Sequence, residues 1–194
     1  CTGIINAYNF MDGINGITGG YSLIILGALA YINAEMVTFV ESALIYTVLC
    51  SVVVFCFFNF RRKAKCFAGD VGCVSIAFIL LFLIGKLILK TEDFSWIILL
   101  VVYGVDSVLT IIHRLMLHEN IGLPHRKHLY QIMANELKVP HVVVSSVYMI
   151  VQALVIAGYF YFQEYSYWYL LGSILILSGT YILFMRKYFR LHFL

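Results

Sequence analysis

The chain has 194 residues, 62% of them hydrophobic and only 12% charged, with a formal net charge of +3 and a mean hydropathy of +0.94. A soluble domain keeps about a quarter of its residues charged to wet its surface, so this composition excludes a water-soluble globule and describes an integral membrane protein. The five cysteines form no CxxC pair, which argues against a disulfide framework or a thiolate zinc site.

The opening CTGIINAYNF has no initiator Met and lacks the basic-then-apolar layout of a signal peptide, so it reads as a piece of something longer. In NAYNFMDGINGITGG, Asn6, Asn9, Asp12 and Asn15 recur every third residue, which on a helix puts them along one face. Gly13, Gly16, Gly19 and Gly20 allow the plainer alternative of a turn and N-cap before the first span. Amides beside a carboxylate offer both donors and acceptors, as a nucleotide or sugar requires.

Apolar runs follow at 17–34, 41–60, 72–89, 95–112, 141–162 and 167–185. Each is near the roughly 20 residues that cross about 30 Å of hydrocarbon. They lack the alternation of barrel strands, so the expected fold is all-α: one polytopic membrane domain over 1–194, with about six transmembrane helices. Eleven cations fall in the connectors after the second, fourth and sixth runs, including Arg61, Arg62, Lys63, Lys65, Arg126 and Lys127. The alternate connectors carry mainly Glu35, Glu41, Glu92, Asp93 and Glu164. The positive-inside rule then places both termini and all three motif-bearing segments in the cytoplasm.

Those segments hold the candidate chemistry. Asp70 stands between Gly69 and Gly72 after four cations; it serves either as a helix cap or as a carboxylate for a hard divalent ion bridging phosphates. His113, His118, His125 and His128 match no common zinc spacing. Pro124 predicts the start of a short interfacial helix, with Leu129, Ile132, Met133 and Leu137 on its apolar face and His125, Arg126 and His128 in its first turn. Such a helix suits either an anion or lipid headgroups. Asp106 lies within the fourth run, where a carboxylate costs about 2.5–3.5 kcal/mol on insertion scales. It must face protein or water, as a helix lock or as a functional group.

Taken in order, NFMDGING, CFAGDVG, YGVDSVLTIIHR and PHRKHLYQ resemble the polyprenyl-phosphate N-acetylhexosamine-1-phosphate transferases of glycosyltransferase family 4. The resemblance implies transfer of a sugar phosphate from a UDP-N-acetylhexosamine such as UDP-GlcNAc to undecaprenyl phosphate, with release of UMP, at the cytoplasmic face of a bacterial inner membrane. It implies that Asp70 holds Mg²⁺ (or Mn²⁺) and that Asp70 and His128 are catalytic. Asn6, Asn9, Asp12, Asn15, His125, Arg126 and Lys127 are then substrate-binding. The family's common DGxDG reads Asp12-Gly13-Ile14-Asn15-Gly16 here, and its HxHH reads His128-Leu129-Tyr130-Gln131. An early Asp-Asp motif of the family lies upstream of what is present, so the chain is expected to be the C-terminal part of a longer enzyme, inactive alone. Expected partners are the bilayer and the two substrates, with a second copy of the chain as a further candidate and no nucleic acid. The competing reading is a non-catalytic membrane subunit or a transporter fragment, with Asp106 on an ion path.

Overall fold

The computed structural model describes residues 2–120 and 126–188, and the regular elements among them are all helical. Among the described residues, six stretches are long and apolar enough to cross a membrane: Ile17–Met36, Ser42–Asn59, Gly69–Thr91, Phe94–Met116, His141–Tyr161 and Gln163–Tyr188. They overlay the six apolar runs and lengthen most of them. The protein is an all-α, multi-pass membrane protein. Large apolar side chains such as Phe57, Phe78, Leu154 and Ile176 remain exposed along these stretches, which suits contact with lipid.

The chain begins with a short helix α1 (Thr2–Met11), followed by α2 (Ile17–Tyr31), which continues through a wide π turn at Ile32–Met36. Then come α3 (Ser42–Asn59), α4 (Gly69–Thr91), a 3₁₀ segment Phe94–Leu100 leading into α5 (Val101–Met116), and the one-turn α6 (Leu129–Gln131), extended by a π turn Ile132–Glu136. The last spans are α7 (His141–Tyr161) and α8 (Ser166–Tyr188). Hydrogen bonds tie the polar connectors together at one end. The Gly16 N–H donates to Asn59 Oδ1 at 2.7 Å, and Asn15 Nδ2 donates to the Arg61 and Arg62 carbonyls at 3.0 and 3.2 Å. Ser145 Oγ donates to the Asn15 carbonyl at 2.8 Å. Gly16 makes this possible: its φ of +86° is a left-handed turn, and a Cβ there would sit 2.3 Å from the Phe60 ring.

The fourth span is not one regular helix. Its 3₁₀ half meets α5 at Leu100 (φ −117°, ψ 7°), and the interrupted ladder needs new partners because lipid offers none. Gln152 of α7, fully buried, supplies them: Nε2 donates to the Ile98 carbonyl at 3.0 Å, and Oε1 accepts from the Val102 N–H at 3.3 Å. Tyr21 donates to the same Oε1 at 2.6 Å and accepts from the Tyr103 N–H at 3.3 Å. The Tyr21 and Tyr103 rings stack with centroids 3.7 Å apart, and Tyr103 OH reaches the Ile17 carbonyl at 3.0 Å. Replacing Gln152 by Leu strands a backbone acceptor and donor, each costing about 1–3 kcal/mol. The expected result is a clearly lower Tm for Gln152→Leu in detergent. Ser146→Ala, which removes only a bond to the Val142 carbonyl within α7, should melt like the wild type; equal melting of all three proteins would contradict the repair role.

Candidate active site

Gly13 and Gly16 end α1 at Met11 and turn the chain into α2, so the four polar residues expected along one helical face do not share one. Asn6 and Asn9 lie on α1, exposed and half-buried, while Asp12 and Asn15 lie in the turn. The side chain of Asn15 is engaged by the Arg61 and Arg62 carbonyls, where it holds the α3–α4 connector. Asp12 is half-exposed and faces the Cys73 thiol of α4; Asp70 acts electrostatically on the same thiol. Asp70 is exposed in the first turn of α4, one residue inside the helix, and does not serve as its N-cap. Two carboxylates and a helix N-terminus therefore gather at one mouth of the bundle.

Residues 128–136 close over that mouth. Tyr130 is fully buried, and its OH donates to the Phe10 carbonyl at 2.8 Å. A Cβ on Gly13 would lie 2.3 Å from that hydroxyl oxygen, so only glycine lets the ring lie on the turn carrying Asp12. Burial, then the charges of Asp106 and Asp12, push the Tyr130 hydroxyl above its ordinary range, and it donates as a neutral phenol. The His128 ring lies between Phe10 and Tyr130, with centroids 6.4 and 5.8 Å away.

Beneath His128 lies Asp106, 3% exposed. Its Oδ2 accepts from Tyr148 OH at 2.6 Å; its Oδ1 accepts from Thr110 Oγ1 at 3.1 Å, the Leu129 N–H at 3.2 Å and His128 Nδ1 at 3.3 Å. Thr110 also meets Tyr181 of α8 at 2.9 Å. The carboxylate thus joins α5, α7 and the residue-128 segment directly, and α8 through Thr110. Helix α6 starts at Leu129, later than the Pro124 start expected from the sequence. Its first free N–H finds Asp106, and Gln131 Oε1 accepts from the His128 N–H at 3.2 Å. Pro124 and His125 lie outside the described residues. The expected apolar face exists, but it docks into protein: Ile132 is fully buried against Tyr181 and Met185 of α8.

Arg114, 2% exposed at the end of α5, donates through Nε to Glu119 at 3.2 Å and through a terminal nitrogen to the Asn120 carbonyl at 2.6 Å. Glu119 also pairs with Lys127, so the ammonium expected to bind substrate is held by this carboxylate. Arg126 is exposed beside it. Of the residues picked out from the sequence, Asp12, Asp70 and His128 come to one end of the bundle. Sequence reasoning gave no role to Tyr130, Tyr148, Cys73 and Asn59; only the polar character of Asn59 at the end of an apolar run could have marked it.

Residues 1–88 match the family model described as glycosyl transferase family 4. The chain is 32% identical over 133 residues to a probable undecaprenyl-phosphate N-acetylglucosaminyl 1-phosphate transferase of Bacillus subtilis, covering 66% of this chain and 37% of that protein. It is 34% identical over 74 residues to the phospho-N-acetylmuramoyl-pentapeptide-transferases of Lactobacillus acidophilus and Lactobacillus helveticus, in each case 38% of this chain and 23% of the relative. The chain therefore spans well under half the length of these curated relatives.

The Lys127 ammonium, with the Arg114 guanidinium adding to it, holds the Glu119 carboxyl below its ordinary 4.5. A depressed carboxylate contributes stability that is present above its unfolded value and is lost as pH falls through the folded one. The Arg114–Glu119–Lys127 contact should persist from neutral pH to below 4.5, with the Glu119 carboxyl midpoint by NMR on the acid side of that value. Glu119→Gln should already speed amide exchange over 114–119 at neutral pH. A midpoint at or above 4.5 would contradict the pairing.

Proposed function

We propose that this chain, a member of glycosyl transferase family 4 through its residues 1–88, carries the donor and metal side of a polyprenyl-phosphate sugar-1-phosphate transferase. The observation that carries the reading is the convergence at one end of the bundle: the Asp12 turn and the Asp70 mouth of α4 meet at Cys73, and the His128 segment is pinned beside that turn through Tyr130 and Phe10. The substrates are a UDP-N-acetylhexosamine, such as UDP-GlcNAc, and undecaprenyl phosphate. The protein is placed in a bacterial inner membrane, with this end facing the cytoplasm because the basic connectors gather there.

The donor set fits a hard divalent ion. Asp70 is exposed and Asp12 half-exposed at the same mouth, and Mg²⁺ takes one or two carboxylates, leaving its other positions for water and phosphate oxygens. Asp70 would hold Mg²⁺, or Mn²⁺ by the same oxygen chemistry, with Asp12 beside it. Bound there, the ion would neutralise diphosphate charge. In the reaction, an oxygen of the lipid phosphate bonds to the sugar-bound phosphorus. The bond from that phosphorus to the bridging oxygen breaks, UMP leaves, and a polyprenyl-diphosphate sugar remains. Phosphoryl transfer depends on positioning and charge neutralisation. Arg126 supplies donors and His128 presents an imidazole nitrogen as a proton acceptor, while Asn9 and Asp12 face the nucleotide sugar. For the lipid, an apolar groove between α5 and α8 lined by Leu109, Ile112, Met116 and Ile182 has His113 and Arg186 on its wall, which suits an isoprenoid chain with an anionic head.

In the full-length protein, Asp70→Asn should cut Mg²⁺-dependent UMP release from UDP-N-acetylhexosamine by at least about a hundredfold, as loss of an electrostatic catalytic group does. The assay uses membranes with added undecaprenyl phosphate. Unchanged turnover by the variant would remove the metal role, and UMP release independent of the lipid would remove the transferase reading.

A further inference from the structure

We infer that Asp106 is a positioning residue for His128: it fixes the imidazole in the tautomer protonated on Nδ1 and holds the ring against Phe10 and Tyr130, so that Nε2 carries the lone pair. The inference deepens the transferase reading and rests on it. A carboxylate can only accept, so the nitrogen 3.3 Å from Oδ1 must be the donor, and in the neutral imidazole the opposite ring nitrogen is then the acceptor. A partner behind an imidazole sets both its orientation and its basicity, as second-shell carboxylates do for metal-bound histidines.

Two features distinguish this arrangement from a simple helix lock. The first is how the carboxylate's capacity is divided. Tyr148 takes Oδ2 at 2.6 Å and Thr110 contacts Oδ1, and those two hydroxyls already join α5 to α7 and, through Tyr181, to α8. A neutral side chain would satisfy that lock without the insertion cost of an acid. The rest of Oδ1 is spent on the Leu129 N–H and His128, the two groups that begin the docked segment. The second is the surroundings. Asp106 borders an apolar pocket lined by Val105, Met133, Val147, Tyr148 and Leu177, and His128 is 1% exposed between two aromatic rings. Low dielectric strengthens a charge-directed hydrogen bond and makes the alternative tautomer, with a lone pair aimed at a carboxylate, unfavourable.

The experiment uses full-length protein labelled with ¹⁵N-histidine, with the His128 resonances assigned by their loss in His128→Gln. The wild type should show His128 protonated on Nδ1 and unprotonated on Nε2. In Asp106→Asn, whose amide can donate as well as accept, the ring should redistribute toward the Nε2–H tautomer. UMP release per folded protein should then fall about 10–100-fold in kcat, with KM for the UDP-sugar within about threefold. Tyr148→Phe is the structural control: it removes the Oδ2 contact but leaves Oδ1 to His128, so it should lower Tm while keeping the tautomer and kcat within about threefold. The wild-type tautomer decides the geometry even where Asp106→Asn fails to fold. A wild-type His128 protonated on Nε2, or an Asp106→Asn protein with wild-type tautomer and kcat, overturns the inference. A wild type with the expected tautomer but no UMP release overturns the transferase reading instead, and the positioning role with it.

Discussion

The carboxylate of Asp106 is the interaction on which the rest of the structure depends. An ionised group inside a membrane span persists only where protein supplies every donor it needs, and here the donors come from three places: Thr110 on its own helix, Tyr148 on α7, and the backbone and imidazole at the start of residues 128–136. The last of these cannot be supplied unless the connector between α5 and α7 folds back onto the bundle. Satisfying one buried acid therefore determines where the histidine segment sits. Docking of that segment places Tyr130 against Phe10 and Gly13, which sets the turn carrying Asp12. The same arrangement makes an ion path through Asp106 unnecessary, because its oxygens are already engaged.

A second constraint shapes the membrane interior. The fourth span changes from a 3₁₀ coil to an α-helix at Leu100, and the groups this strands are repaired by Gln152 and Tyr21. The repair stacks Tyr103 on Tyr21, with Tyr8 packed at an angle against both, and Tyr103 OH returns to the Ile17 carbonyl at the start of α2. The break in α5's span is thus fastened to the element that leaves the Asp12 turn. Polar side chains in the apolar interior act here as ties between segments whose ends form the site.

Much of this was legible in the sequence. The six spans follow from run length alone, since about 20 apolar residues in succession have no other home. Asp106 stood out because an acid in an apolar run has to be explained, but its partners could not be read: Tyr148 is 42 residues away, and a tyrosine in a membrane run is unremarkable. The asparagine repeat allows either a helical stripe or a turn, and Gly13 and Gly16, after which α2 begins, decide it for the turn. The start of α6 was placed at Pro124 by local preference, whereas a tertiary acceptor beneath Leu129 determines it. The 3₁₀ segment left no local signature at all. Its trace was Gln152 on a different helix, a polar residue in the middle of an apolar run.

The central claim is that one buried carboxylate holds the histidine segment onto the bundle, and amide hydrogen exchange on the full-length protein in lipid nanodiscs tests it most directly. With Asp106 replaced by Leu, residues 128–136 should lose their protection while the amides of the membrane spans keep theirs. Protection of 128–136 unchanged from wild type, or lost together with that of the spans, would contradict the account.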